Sequence, residues 1–316
     1  MAVLRSQRIL LPLTLGVVWL TFGSAPVGAR VGVTHVPPFL FAGARFTLAG
    51  LVLLGILAVV RGFRLSLTWR ELGEATLIGA GLVGIGQGSL NWATTEVLPG
   101  IVAMFIATVP LFAAVLGWAL LGSRISALGI AGLAAGLAGT LLLALPSAGG
   151  SLPTGALLAM AGGALAWSAA SLFAGRSLIG RRPLHLAGLQ MLIGGLLQFA
   201  IALVLGEPRD FQPTLALEPG VVATFVYLLV ASGLLGFVSF SWLLANASAV
   251  LANSQAFVAP VVAMLLSWML LGEPLTPRAL IAAGVGLGGV ALLVVAQARS
   301  RAPVTARTGD QLEEAA

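Results

Sequence analysis

Ten apolar stretches of about 20 residues each, parted by short polar segments, leave this chain no aqueous fold, because each stretch matches the length of helix that crosses a hydrocarbon layer about 30 Å thick. They fall near residues 10–30, 39–60, 72–94, 100–121, 125–145, 155–175, 185–205, 220–244, 251–271 and 279–298. Of the 316 residues, 59% are hydrophobic and 8% charged, where a soluble domain carries about 25% charged residues. A soluble core of this size cannot hide that much apolar surface. Since backbone groups in lipid must pair within their own segment, the spans are helices. The first span follows Arg5 and Arg8 like a leader peptide, but it is too long for the apolar part of one, and nine further spans follow.

The chain has no cysteine and no lysine; every basic residue is arginine. Disulfide frameworks, thiolate chemistry, a Schiff-base lysine and a phosphate-loop lysine are all excluded. The net charge of +6 is then a matter of where the arginines lie, not a sign of nucleic-acid binding. With the N-terminus inside, the inner segments hold Arg61, Arg64, Arg70, Arg124, Arg176, Arg181, Arg182 and Arg299 among others, and the outer ones only Arg30, Arg209 and Arg278. Cytoplasmic loops are the arginine-rich ones, so both termini are expected in the cytoplasm. The tail from Arg299 to Ala316 is polar and reads as disordered.

A duplication organises the spans. An offset of 150 pairs Gly86 with Gly236, Ser89 with Ser239, Trp92 with Trp242, Pro110 with Pro260, Trp118 with Trp268, Gly136 with Gly286 and Gly139 with Gly289. Earlier in each half the offset is 145, pairing Phe22 with Trp167, Pro38 with Pro183 and Arg45 with Gln190. The organisation expected is an N-terminal segment 1–9, a first repeat 10–145, an outer linker 146–154, a second repeat 155–298 and the tail 299–316. Each half has an odd number of crossings, so its copy runs the opposite way through the membrane. The fold class is therefore an all-α polytopic membrane protein, with ten transmembrane helices as two inverted five-helix repeats, the plan of many secondary transporters.

Several residues are costly in lipid and so are candidates for solute contact. Arg45 lies about two turns into the second span, and the alternative there is snorkelling to headgroups. Gln87 and Asn91, four apart, share a helix face. Trp167, Gln190 and Asn253 complete the substrate-binding candidates; the alternative for the amides Gln87, Asn91 and Asn253 is helix-to-helix hydrogen bonding, and for Trp167 a place in an interfacial aromatic belt. Pro110 and Pro260 sit inside spans at matching places, where a missing backbone N–H permits a hinge or kink. Glu96, toward an outer end, is the candidate for a gate or proton site, since no Asp or Glu lies mid-span. Glycines four apart in the third and fifth spans read as packing surfaces.

No cofactor or metal is expected. The chain holds only His35 and His185, on opposite sides, and no His-Glu-x-x-His or paired intramembrane carboxylates. A membrane-embedded enzyme is thus disfavoured, and a passive channel remains an alternative to a carrier. The partners expected are a small-molecule solute and the bilayer, with no nucleic acid; proton coupling through Glu96 and either a monomer or a homodimer stay open.

Four segments carry a family resemblance: Phe22-Gly23-Ser24 followed by Arg30; Pro37-Pro38 with Arg45-Phe46; Thr108-Val109-Pro110-Leu111-Phe112; and Leu271-Gly272-Glu273-Pro274-Leu275-Thr276. Together with the repeat, they resemble EamA-type carriers of the drug/metabolite transporter superfamily over residues 8–298. Phe22 departs from the tryptophan usual there, and Ser123 from the glutamate that Glu273 keeps in the second half. The resemblance implies bacterial inner-membrane placement, a central cavity between the halves and, often, efflux of amino acids or related metabolites.

Overall fold

The structure is a computed structural model and describes residues 2–60, 67–96, 102, 105–144, 153–271 and 276–300. Most of the segment 146–154 expected as a linker, the tail beyond Ser300 and the motif around Glu273 lie outside the described residues. The described residues form ten helical rods: α1 Ala2–Val33, α2 Pro38–Val60, α3 from Trp69 to Glu96, α4 Val109–Leu121, α5 Ala127–Ala144, α6 Thr154–Ala174, α7 Pro183–Leu205, α8 Pro219–Asn246, α9 Gln255–Leu271 and α10 Pro277–Ser300. Among the described residues five of these rods, and a sixth span Ala249–Leu266 that runs into α9, are long and apolar enough to cross a membrane, and shorter apolar helices accompany them. Gly122 and Gly206, at φ of 62° and 78°, end α4 and α7 in the left-handed conformation that glycine adopts without steric cost.

Two helix pairs reveal how the halves are arranged. A methyl group added at Gly50 of α2 would lie 2.8 Å from the Gly188 carbonyl oxygen of α7, and one at Gly195 would lie 3.0 Å from that of Gly43. The offset of 145 carries Gly43 onto Gly188 and Gly50 onto Gly195, so each contact is the image of the other. In α5 and α10 the contacts are Gly136 with Gly289 and Gly139 with Gly286; the offset of 150 exchanges these in the same way. In both pairs the number rises along one helix as it falls along the other. Corresponding helices run antiparallel, and the halves are therefore inverted about a pseudo-two-fold axis.

Small residues make this approach feasible where lipid removes the hydrophobic drive for helices to associate and packing must supply it. Gly132, Gly136 and Gly139 bring α5 against α10, and Gly43 and Gly50 bring α2 against α7. The remaining helices form the middle. There α3 lies on α6 through Gly81, Gly86 and Gly163, and α1 on α9 through Gly23, whose added methyl would meet Val262 at 2.6 Å.

Two rods are not plain α-helices. Residues Ala80–Gln87 of α3 and Leu228–Phe237 of α8 are wound as π-helix. They occupy matching stretches of the two halves, with Gly86 and Gly236 inside them. π-Turns insert a residue into the helical ladder and recur at functional sites. The glycine-rich stretch from Gly79 to Gly88, read from sequence as a packing surface, serves that purpose and also accommodates the wider winding.

Candidate functional site

The centre of the molecule is built on repeat mates. Phe22 of α1 and Trp167 of α6 meet with ring centroids 6.3 Å apart at 79°. Phe237 and Phe240 of α8 close around them, with centroids 5.2 Å and 5.8 Å from Phe22. Phe237 corresponds to Gln87 under the offset of 150, so one half brings an amide and the other a ring to this level. Edge-to-face geometry is what the ring quadrupoles favour.

Trp167 and Asn253, separate candidates from sequence, are brought together. The Trp167 indole N–H donates to Asn253 Oδ1 at 2.8 Å, and Asn253 Nδ2 donates to Ser171 Oγ at 2.9 Å and to the Ala249 carbonyl at 2.8 Å. Asn253 does not sit in a surface connection. A one-turn helix, Ala249–Ala252, precedes it and α9 resumes at Gln255, so the chain re-enters the protein and Asn253 is fully buried. Its neighbour Ser254 receives the Trp19 indole N–H at 3.3 Å, which ties α1 of the first half to α9 of the second. Sequence explains why this contact has no twin: the mates of Trp167 and Asn253 are Phe22 and Ala103, neither of which has a polar side chain.

Arg45 and Gln190, mates under the offset of 145, are both buried, at 3% and 0% exposure. Arg45 does not snorkel. Its guanidinium carbon lies 4.2 Å from the Phe46 ring centroid, and its Nε finds no hydrogen-bond partner among the described residues. Gln190 Nε2 donates to Ser241 Oγ at 2.8 Å, while its Oε1 is unpartnered. Ser241 is the mate of Asn91. Gln198 Nε2 donates at 2.6 Å to the Val83 carbonyl, within the π-wound part of α3. A buried polar atom without a partner costs about 1–3 kcal/mol.

Gln87 and Asn91 remain half-buried, and Gln87 Nε2 donates to Asn91 Oδ1 at 3.3 Å. Glu96 ends α3 as an exposed residue. The two prolines differ in setting. Pro260 lies inside α9, but Pro110 stands in the first turn of α4, after a break at Ala107 and Thr108. The expectation that both are interior is corrected for Pro110: a first turn needs no backbone donor, so proline fits there without loss. Beside it, the Ser168 hydroxyl of α6 lies 2.9 Å from the Val109 carbonyl.

Each end of the α2–α7 pair has a polar clasp between halves. On one face Glu71 pairs with Arg182 at 3.6 Å, and Glu74 accepts the Ile179 backbone N–H at 3.1 Å. On the opposite face Glu207 accepts the N–H groups of Phe39 and Leu40 at 3.2 Å and 2.9 Å, and His35 lies 3.7 Å from Glu218. Tyr227 donates to Ser24 Oγ at 2.5 Å on that side, joining α8 to α1. Ser171, Ser241, Phe237 and Phe240 do not stand out in the sequence. The duplication held a signal for two of them, since Ser241 and Phe237 are the mates of Asn91 and Gln87.

Inverted five-helix halves meeting along glycine-lined helix pairs, with buried polar groups between them, define a membrane transporter of the drug/metabolite type. A family model described as the EamA-like transporter family matches residues 11–145 and again 154–295. The chain belongs to that family. It is 34% identical over 296 residues to an uncharacterized inner membrane transporter, YedA, of Escherichia coli (strain K12), covering 91% of this chain and 92% of that one. It is 28% identical over 274 residues to a probable terminal-alkyne amino-acid exporter of Streptantibioticus cattleyicolor, covering 86% and 89%. A solved crystal structure superposes with a TM-score of 0.73 at 22% identity, over 92% of this chain and 98% of that one, and is similar in fold. Relatives of this kind and the apolar helices place the protein in the inner membrane.

Proposed function

We propose that this protein is a secondary carrier that moves small metabolites, amino acids or related compounds, outward across the inner membrane by alternating access. The observation that carries the reading is the exchange of mates in the α2–α7 and α5–α10 contacts. An inverted pair of halves has two conformations of similar energy, one open to each side, because each half takes in one state the shape its copy takes in the other. The amino-acid exporter named among the relatives supports the substrate class and the direction. Arginine placement supports putting the Arg182 face, with both termini, in the cytoplasm.

In this reading the glycine-lined pairs are the fixed frame, and α1, α3, α4, α6, α8 and α9 move between them. The break before Pro110, the interior Pro260 and the two π-wound stretches are where the rods bend. Arg45 holds a solute carboxylate, and the amides of Gln87, Asn91 and Gln190 complete its hydrogen bonds. Trp167 and Asn253, locked together here, open to the solute in the other conformation. Glu96 serves as a gate or proton site near the open end of α3.

The test is counterflow in proteoliposomes. Unlabelled solute inside the vesicle is expected to accelerate uptake of the labelled solute. Ion conductance with no acceleration by any of the amino acids tried would replace the carrier with a channel.

A further inference from the structure

A second asymmetry between the halves lies away from the central residues. At the His35 face a cavity of about 460 Å³ opens between α2, α7, the α7–α8 link and α8, walled by Phe41, Phe199, Phe211, Val221, Val222 and Phe225 among other apolar residues. That volume is in the range of small-molecule sites, yet no wall residue offers a polar side chain to orient a soluble metabolite. Phe211 and Val222 are 40% and 41% exposed, so the wall is open on its outer side. Leu203 and Val204 of α7 are 68% and 87% exposed, as a lipid-facing surface is.

At the opposite face the corresponding helix positions carry different side chains. The mates of Phe41, Phe199, Val221 and Phe225 are Leu186, Leu54, Glu71 and Ala75. Leu186 and Ala75 are fully buried, and Glu71 holds Arg182 at 3.6 Å and accepts the Thr68 N–H at 2.9 Å. The described part of one copy carries an ion pair where the other carries apolar wall. Beside the cavity, between the wall residues Pro208 and Phe211, stand Arg209 and Asp210, both exposed. The Arg209 side chain has no hydrogen bond or ion pair among the described residues.

We propose that this cavity is a phospholipid site, in which an acyl chain from the leaflet on the His35 face fills the aromatic chamber and its phosphate meets Arg209. Three features converge on that occupant: walls without a polar group, an opening toward lipid, and an unpaired cation at headgroup depth, where a guanidinium recognises phosphate. The site lies against α8 just before its π-wound stretch, so the chain of a bound lipid touches a helix that the carrier mechanism needs to bend.

The test is photolabelling of the full chain in vesicles of phosphatidylethanolamine and phosphatidylglycerol, doped with phosphatidylcholine bearing a diazirine in one acyl chain. Peptides covering residues 208–225 are expected to take up several-fold more label than those covering the lipid-exposed Leu280 and Ile281 of α10. Ala44→Trp, which fills the chamber, is expected to cut the label at 208–225 several-fold and leave α10 unchanged; Ala216→Phe is the second variant if the first does not fold. Arg209→Gln is expected to lower labelling by the phosphatidylcholine probe but not by a diacylglycerol carrying the same diazirine. Equal labelling of all lipid-facing peptides, or undiminished labelling in the filled variants, overturns the proposal. Displacement of the label by amino acids also overturns it and assigns the cavity to solute. The labelling is independent of counterflow, so failure of either reading is seen separately.

Discussion

Phe22 and Trp167 occupy the same position in the two halves, and they meet at the centre with ring centroids 6.3 Å apart. Mates can touch only on or near the axis that relates them, so this contact marks where the pseudo-two-fold passes. The half that carries Trp167 adds a polar lock, its indole N–H on Asn253 at 2.8 Å. Trp167→Phe keeps the ring and removes the donor. A double-mutant cycle with Asn253→Ala, read by denaturation in detergent, is expected to give a coupling of about 0.6–2 kcal/mol. A coupling near zero would show that the buried bond is offset in the unfolded, membrane-embedded state.

Gly50 and Gly195 are expected to be equally intolerant of bulk. An added methyl lies 2.5 Å from the backbone N of Leu192 in one case and of Thr47 in the other, and main chain cannot give way as a flexible side chain does. Gly50→Leu and Gly195→Leu should each cost at least about 1–3 kcal/mol, or prevent folding. Gly55→Leu and Gly284→Leu, with open space around the site, should leave thermal unfolding nearly unchanged. Unequal effects of the first two would contradict the exchange of mates.

Arg45 separates folding from transport. A buried charge is expensive, and replacing it by an apolar residue of similar volume is often neutral or stabilising. Arg45→Met is therefore expected to unfold at the same or a higher temperature while transport falls at least about tenfold, the loss of one charged hydrogen bond of about 1.5–3 kcal/mol to a solute carboxylate. Normal uptake kinetics in this variant would remove Arg45 from the solute site.

Weakening one clasp should bias the conformations. Glu71→Gln removes the pair with Arg182, which at 44% exposure of the arginine side chain is worth at most about 1 kcal/mol. The population open on that face should then rise, up to about fivefold. The chain has no cysteine, so a single Ala252→Cys, buried beside Asn253, reports the opening by its rate of alkylation with a water-soluble maleimide. An unchanged rate would mean that the clasp is present in both conformations.

Much of this architecture was legible in the residues alone. Span length, the odd crossings per half and the two offsets follow from local composition and register, which survive without coordinates. Arg45, Gln190 and Asn253 stood out because lipid makes any polar residue conspicuous. Their partners did not: Ser171 and Ser241 are unremarkable serines until α6, α7, α8 and α9 are packed together. The π-wound stretches were invisible for a different reason, since a π-turn changes the winding without changing the apolar pattern.

The set of helices, their duplication and, through the odd count, their inversion follow from length and order along one chain. Which mates lie on the axis, which amide meets which indole, and where an apolar cavity opens beside α8 came from the packing of the helices. Those are relations between helices distant in sequence, set by how closely glycine lets backbones approach. A register of 145 or 150 names the pairs, but it carries no distance.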